Sequence, residues 1–325
     1  MYSLTARITR TGGPEVIELA RQDLLAPGAG EVLLRHTAIG VNFIDTYHRS
    51  GLYAVPLPSG LGTEAAGVVE AVGSGVTNLR AGDRVAYAGG ALGAYAQLRV
   101  MPANKLVRVP DAVSDEAAAA LMLKGMTAYY LLHLTYAVKR GETALIHAAA
   151  GGVGSLLVPW AKALGVRVIG TAGGSAKCAL ARQYGCDEVI DYSSADFVTA
   201  VKRLTDGRGV DVVYDSVGKT TLPGSLDCLR RRGMAVTFGN ASGKPAAVEP
   251  NTLTQKGSLY LTRPTLADYT ATREELETAA NVVFDALARG IIRADVRQRY
   301  PLADAARAHA DLEARKTTGA TILLP

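Results

Sequence analysis

Cysteine, large aromatic side chains and long apolar runs are all scarce in this chain, and each scarcity excludes a class of protein. Among 325 residues there are three cysteines, Cys178, Cys186 and Cys228. An odd count at this spacing is neither a disulfide framework nor a zinc knuckle. A disulfide-stapled secreted module is therefore excluded, and free thiols in a reducing cytoplasm are expected. The opening MYSLTARITR lacks the apolar core of a secretory leader. No uninterrupted apolar stretch approaches the ~20 residues of a membrane span. With one Trp and four Phe, the core falls to Val, Leu, Ile and Ala, the side chains of parallel strands covered on both faces. Basic residues are never massed in runs of five, and the net charge is only +5. The densest basic spot, Arg230, Arg231 and Arg232, has no interleaved aromatics, which argues against nucleic acid as a partner. A mild basic excess does suit an anionic ligand.

Glycine, by contrast, is abundant at 35 residues, and the length fits about two domains. In the first third, strand candidates at residues 5–8, 31–39, 65–72, 84–87 and 94–100 alternate with turn chemistry. The turns are Gly12-Gly13-Pro14, Pro27-Gly28, Gly60, Gly73-Ser74-Gly75 and Gly82-Asp83. Spacing this tight predicts a twisted, partly closed β-barrel. From residue 143 the period changes. Strands at 143–148, 166–170, 188–191, 210–215 and 234–238 alternate with helices at 153–164, 175–184, near 195–204 and up to 229, the pattern of right-handed βαβ crossovers in a doubly wound α/β domain. In the tail, a helix over 272–288 opens with Thr272 and Glu275 in capping-box spacing and closes before Gly290. A helix near 303–314 and an aliphatic strand at 320–324 follow. That last strand needs a sheet to join, and the N-terminal β-domain is the expected host, which makes the first domain discontinuous.

The turn Ala148-Ala149-Ala150-Gly151-Gly152-Val153-Gly154 lies between an expected strand and an expected helix. Read as a dinucleotide fingerprint, it has Ala149 in the first glycine place, then Gly151 and Gly154. Gly151 would let the main chain approach a pyrophosphate, Gly154 would permit close helix–sheet contact, and the helix N-terminus would offer unpaired N–H groups. The alternative is a tight turn without a ligand. The second strand of this domain runs into Gly170-Thr171-Ala172-Gly173-Gly174 with no carboxylate in that region, where an NAD site places Asp or Glu on the ribose 2′-OH. Ser175 and Lys177 follow at the next helix start, suited to a 2′-phosphate; Lys177 is otherwise a solvated lysine. Tyr192 either flanks the adenine end or caps a core. Small residues after the later strands, Ser216 to Gly218 and Phe238-Gly239-Asn240-Ala241-Ser242-Gly243, leave room for a nicotinamide ribose at strand carboxyl ends.

Several further motifs accompany this turn: Gly12-Gly13-Pro14-Glu15, Asn42-Phe43-Ile44-Asp45, Leu61-Gly62-Thr63-Glu64-Ala65-Ala66-Gly67, Lys124-Gly125-Met126-Thr127-Ala128, Tyr214-Asp215-Ser216-Val217-Gly218, Lys256-Gly257-Ser258-Leu259-Tyr260 and Thr262-Arg263-Pro264. In combination they resemble the zeta-crystallin-like NADPH:quinone oxidoreductases of the medium-chain dehydrogenase/reductase superfamily, over nearly the whole chain. The resemblance implies a GroES-like β-barrel catalytic domain at residues 1–124 and 268–325 and a Rossmann NADPH-binding domain at 125–267. Zinc-dependent relatives carry Cys where Asn42 stands and Gly-His-Glu where Gly62-Thr63-Glu64 stands. Their four-cysteine lobe is missing here too, so no metal site is expected. By the same resemblance, Asn42, Asp45, Tyr47, Tyr53 and Arg263 lie near substrate or nicotinamide; for Asp45 the alternative is a turn or cap residue. Lys124, Thr127, Tyr130, Gly151, Gly152, Val153, Gly173, Lys177, Tyr192, Ser216, Phe238 and Gly239 are implied at the cofactor. Gly174, Ser175, Asn240 and Ser242 belong to the same loops, and Arg315 falls where the family has an arginine near the 2′-phosphate.

The expected activity is hydride transfer from NADPH to a quinone, with Asn42, Tyr47 and Arg263 donating hydrogen bonds to an acceptor oxygen where negative charge develops. Two alternatives stand beside it. One is reduction of an activated alkene, such as an enone or enoyl thioester. The other is a catalytically silent nucleotide-binding protein. An aliphatic strand candidate at residues 257–261 would lie at a sheet edge, which predicts a homodimer paired there. If the Lys177 ammonium reads the 2′-phosphate, Lys177→Ala should weaken NADPH about tenfold and leave NADH nearly unchanged in fluorescence titrations; equal losses for both nucleotides would remove Lys177 from that role.

Overall fold

The computed structural model describes residues 1–325, which divide into two compact units. One comprises Met1–Met126, Tyr269–Asp285 and Ala294–Pro325, the other Thr127–Asp268 and Ala286–Arg293. The first begins with β1 (Tyr2–Ile8), β2 (Ile17–Asp23), β3 (Glu31–Val41), α1 (Phe43–Ser50), β4 (Ser59–Gly60), β5 (Glu64–Val72), β6 (Arg84–Ala88), β7 (Leu98–Pro102), β8 (Val107–Arg108) and the start of α2 (Asp115–Tyr130). Five of these were not among the expected elements: β2, α1, β4, β8 and α2. β2 leaves most of its side chains exposed, so no apolar face marks it in the sequence. α2 is Ala-rich and buried nearly all round, from Ala118 to Met122, and so shows no amphipathic stripe.

The expected twisted, partly closed β-barrel is built from two sheets that share a core. β2-β1-β4 form one, and β3, β5, β6, β7 and β8 belong to a seven-stranded sheet. Residues 94–97 of the expected strand 94–100 stitch them together. Ala6 donates to the Tyr95 carbonyl (2.8 Å) and Gln97 to the Leu4 carbonyl (3.0 Å), and ladder pairing with β3 starts only at Leu98. Apolar side chains of both sheets, including Ile8, Leu34, Leu61, Val85 and Tyr95, bury into one cluster.

The second unit continues with β9 (Thr143–Ile146), α3 (Gly154–Ala163), β10 (Arg167–Ala172), α4 (Ser175–Gln183), β11 (Glu188–Asp191), α5 (Phe197–Leu204), β12 (Val210–Asp215), α6 (Leu222–Asp227), β13 (Leu229–Thr237), α7 (Pro250–Gln255), β14 (Tyr260–Thr262) and α8 (Leu266–Tyr269). All its strand pairs are parallel, in the order β11-β10-β9-β12-β13-β14. This is the Rossmann order, with its switch point between β9 and β12. As aliphatic composition predicts, Ala144, Leu145, Val212, Val213 and Tyr214 are fully buried. The edge strand expected at 257–261 starts later, at Tyr260, because Gly257 (φ 110°) and Ser258 (φ 55°) form a left-handed turn.

The tail supplies α9 (Arg273–Ala288), β15 (Val296–Pro301), α10 (Ala305–Glu313) and β16 (Ala320–Leu324). α9 opens on the capping box read from sequence: Thr272 N–H donates to Glu275 Oε2 (2.9 Å) and Glu275 N–H to Thr272 Oγ1 (3.2 Å). β16 pairs antiparallel with β3 of the N-terminal unit, the host that its aliphatic run needs, and parallel with β15. The three cysteines are free and buried, and burial pushes the thiols of Cys186 and Cys228 up to about 12. No helix is long and apolar enough to cross a membrane.

An ion pair ties α1 to α10. The guanidinium of Arg49, only 2% exposed, makes two bonds to the Glu313 carboxylate (2.9 and 2.7 Å) and one to the Gly12 carbonyl (3.1 Å). Glu313 is itself partly exposed, which tempers the value of the pair, but removing it strands a buried charge. Glu313→Ala should cost about 2 kcal/mol in urea denaturation; a change below about 0.5 kcal/mol would mean that solvent screens the pair as it does a surface bridge.

Candidate active site

β9 ends at Ile146, and the chain turns through Ala148, whose φ of 52° is left-handed. The turn is held from within: Ala149 N–H donates to the Thr171 carbonyl (3.0 Å) and Gly151 N–H to the Ala148 carbonyl (2.8 Å). α3 then starts at Gly154. A Cβ on Gly154 would lie 2.5 Å from the Ala148 carbonyl oxygen and 2.6 Å from that of Ala149, so this position admits only glycine. The N–H groups of Gly152, Val153 and Gly154 donate to no protein acceptor. Three unspent donors at a helix N-terminus, on the switch point of a parallel sheet, fit a pyrophosphate.

The neighbouring loop departs from expectation. A Cβ at Gly173 would come within 2.8 Å of the Tyr192 hydroxyl oxygen, which places that ring against the end of β10. A carboxylate stands there after all: Asp191, the last residue of β11, accepts hydrogen bonds from Gly174 N–H (3.0 Å), Ser193 N–H (3.0 Å) and Ser193 Oγ (2.5 Å). The Gly174 N–H is therefore spent within the protein. Those bonds hold the Asp191 carboxyl below its usual range. Ser175 is exposed and Lys177 half-buried at the start of α4.

After β12, Asp215 Oδ1 accepts from Val217 N–H (2.9 Å), Gly218 N–H (2.9 Å) and Thr221 Oγ1 (2.8 Å). Beside it lies the loop after β13, where a Cβ on Gly239 would be 2.4 Å from the Ser216 carbonyl oxygen. Ser242, grouped above with the cofactor loops, spends its hydroxyl between these loops, donating to the Val217 carbonyl (2.8 Å) and accepting from Thr220 N–H (3.0 Å). Arg263 Nη1 donates to Thr237 Oγ1 (3.1 Å) at the end of β13. Its guanidinium thus supports the strand from which Phe238, Gly239 and the buried Asn240 follow. Thr127 and Tyr130, on the last turns of α2, are buried.

In the other unit, Glu64 is fully buried and organises the first polar cluster. It accepts from Asn42 Nδ2 (2.8 Å), Leu123 N–H (2.6 Å) and Lys124 Nζ (3.1 Å). A Cβ on Gly40 would lie 2.2 Å from Glu64 Oε2, so β3 needs glycine where this carboxylate passes. Lys124, expected to face an anionic cofactor, has its charge neutralised by Glu64. Tyr47 is nearly buried at 7% exposure, its ring edge-on to Tyr53 at 5.3 Å. Arg315 is exposed just past α10, with φ 58°. Two more buried polar atoms have no partner, Thr63 Oγ1 and His48 Nδ1, and neither residue was among the expected site residues; unspent capacity of this kind is one mark of a ligand site. Thr63 occupies the place of the absent zinc-ligand histidine, the one signal that pointed to it.

Asp45, expected near the substrate, takes the cap role given above as its alternative. Fully buried, it accepts Asn42 N–H (2.8 Å) and the Tyr95 hydroxyl (3.0 Å) on Oδ2, and its Oδ1 has no partner. Burial raises its carboxyl from 3.8 to about 7. Nearby His309, bonded to the Tyr95 hydroxyl at 3.0 Å, is held down at about 3 by burial and by Arg49. These two groups tilt stability in opposite directions. The folded protein binds the Asp45 proton more tightly than the unfolded chain does, so the stability it contributes is complete below pH 3.8 and drains away as pH rises through about 7. For His309 the loss comes as pH falls below its ordinary 6.5 toward 3. Asp45→Asn keeps the acceptor and removes the titration. The thermal midpoint of Asp45→Asn minus that of wild type should therefore climb by several degrees between about pH 5 and about pH 8; a flat difference would place the Asp45 carboxyl in the ordinary range.

No group of three or more His, Cys, Asp or Glu side chains is placed to hold a metal ion. Residues 28–111 match the alcohol dehydrogenase GroES-like domain family and residues 152–288 the zinc-binding dehydrogenase family. The chain is 56% identical over 315 residues to the quinone oxidoreductase of Pseudomonas aeruginosa, covering 97% of each protein. It is 48% identical to a 2-haloacrylate reductase of Burkholderia, over 99% of each. The crystal structure of Escherichia coli quinone oxidoreductase complexed with NADPH superposes with a TM-score of 0.97 at 51% identity, covering 99% of this chain and 100% of that one. Sequence, fold and the pattern of unspent donors agree: this chain belongs to the quinone oxidoreductase family of the medium-chain dehydrogenase/reductase superfamily.

Proposed function

We propose that this chain is an NADPH-dependent quinone oxidoreductase. The observation that carries the reading is the trio of unspent N–H donors at Gly152, Val153 and Gly154, in a chain that shares more than half its residues with a quinone oxidoreductase. In this reading those donors hold the pyrophosphate. Ser175, Lys177 and Arg315 take the 2′-phosphate, with Tyr192 and Gly173 flanking the adenosine end. Ser216, Phe238, Gly239 and Asn240 surround the nicotinamide ribose, with Thr127 and Tyr130 beside them. When bound, NADPH supplies the hydride. On the acceptor side, Asn42 spends one amide hydrogen on Glu64 and retains a second for a quinone oxygen, while Tyr47 and Tyr53 offer hydroxyls and ring faces. Lys124, on the cofactor side in this reading, shares the Glu64 carboxylate with Asn42 and so helps to hold it. The reading includes a homodimer paired through β14, which forms one edge of the parallel sheet and leaves Tyr260 58% exposed. It also includes a cytoplasmic location, supported by three free thiols.

A second reading, reduction of an activated alkene, has one specific support: the 48% identity with a 2-haloacrylate reductase. Initial rates with NADPH against 1,4-benzoquinone, 2-chloroacrylate and a 2-enoyl thioester separate the two. Saturable turnover of benzoquinone, with NADPH preferred over NADH, is expected. Turnover of 2-chloroacrylate or the thioester alone would replace quinones by alkenes. NADPH binding without oxidation by any of the three would favour the silent nucleotide-binding protein.

A further inference from the structure

We propose that His147 is a positioning residue for the dinucleotide, acting through a buried hydrogen-bonded chain that locks the carboxyl ends of β9, β10 and β12 to one another; this rests on the NADPH reading above. His147 sits directly between β9 and the turn at residues 148–154. Its Nδ1 lies 2.9 Å from Thr171 Oγ1 on β10, and its Nε2 lies 3.0 Å from Ser225 Oγ on α6. Ser225 Oγ is in turn 2.8 Å from Asp215 Oδ2 at the end of β12. All four residues are 2% exposed or less, in a sheet whose core is mostly aliphatic.

The donors and acceptors run in one direction. Asp215 only accepts, so the Ser225 hydroxyl donates to it, sharing its one proton with the Thr221 carbonyl at 2.9 Å. That leaves Ser225 Oγ to accept Nε2–H of His147, and His147 Nδ1 to accept the Thr171 hydroxyl. The ring is then neutral, and burial favours that form, lowering its proton affinity against the pull of Asp215. Phe197 lies edge-on to the imidazole at 5.0 Å and closes its remaining side. On its other oxygen, Asp215 holds Val217 N–H, Gly218 N–H and Thr221 Oγ1.

Each strand end in this chain launches a loop that the proposed dinucleotide needs. β9 leads into the unspent N–H groups of residues 152–154. β10 leads into Gly173, Ser175 and Lys177. β12 leads into Ser216. Backbone bonds reinforce the same three ends: His147 N–H donates to the Tyr214 carbonyl and Ala149 N–H to the Thr171 carbonyl, each at 3.0 Å. A buried polar network costs more than apolar packing unless every member is satisfied. Here each of these polar atoms has a partner, and the result is a fixed spacing among three binding loops.

Titrating NADPH and NADH by fluorescence quenching against Thr171→Val, Thr171→Ser, Ser225→Ala and His147→Leu tests this, with the thermal midpoint of each variant measured without nucleotide. Thr171→Val, Ser225→Ala and His147→Leu should each raise the Kd of both nucleotides by about tenfold and by similar factors. Thr171→Ser, which keeps the hydroxyl, should bind like wild type. The Ser225→Ala and His147→Leu double variant should bind no worse than the weaker single variant, because one chain is broken either way. Should His147→Leu fail to fold, the smaller changes at Thr171 and Ser225 carry the test. A lowered thermal midpoint with Kd within twofold of wild type in Thr171→Val and Ser225→Ala would reduce the network to core packing and overturn the proposal. Wild type that binds neither nucleotide would instead overturn the cofactor reading on which it rests.

Discussion

Two adjacent parallel strands, β9 and β12, continue into crossovers that must leave for opposite faces of the sheet, because each βαβ connection is right-handed. That single constraint opens a crevice at their carboxyl ends. Backbone emerging there has no neighbour to satisfy it, so the N–H groups of residues 152–154 stay unspent. The identities of Gly154, where added atoms would overlap carbonyl oxygens of its own turn, and Gly239, where they would overlap one of the adjoining loop, follow from how tightly the chain must fold to leave that crevice clear.

Each unit relies on a buried carboxylate as a local organiser. Glu64 gathers Asn42, the Leu123 backbone and Lys124; Asp215 gathers the loop at 217–218, Thr221 and Ser225. A carboxylate is suited to this because it offers several acceptor sites at one place and donates nothing. Burying it is costly unless those sites are filled, and in both cases they are. Asp45 is the contrast: one of its oxygens has no partner, and it responds by holding its proton.

Much of this was legible in the sequence for identifiable reasons. The parallel sheet announced itself through short aliphatic runs between glycine turns, and strands at Glu188–Asp191 and Val210–Asp215 fall where the pattern put them. The capping box at Thr272 and Glu275 is a local signal and needs no tertiary context. What failed to show was what depends on distant partners. α2 hid because burial on all sides erases periodicity, and β2 because it has almost no buried face. Asp191 escaped notice at the adenosine end because it arrives from a different strand than the one a fingerprint inspects. Ser242 and Lys124 were read as reaching for a ligand, yet each had a protein partner that no linear spacing reveals.

The seclusion of the thiols bears on chemical durability. Attack on an electron-poor carbon needs a thiolate. With Cys186 and Cys228 held at about 12 and all three sulfurs inside the fold, the ionised fraction at neutral pH is negligible and sterically withheld. Thiols placed this way are poor targets for sulfur-seeking electrophiles.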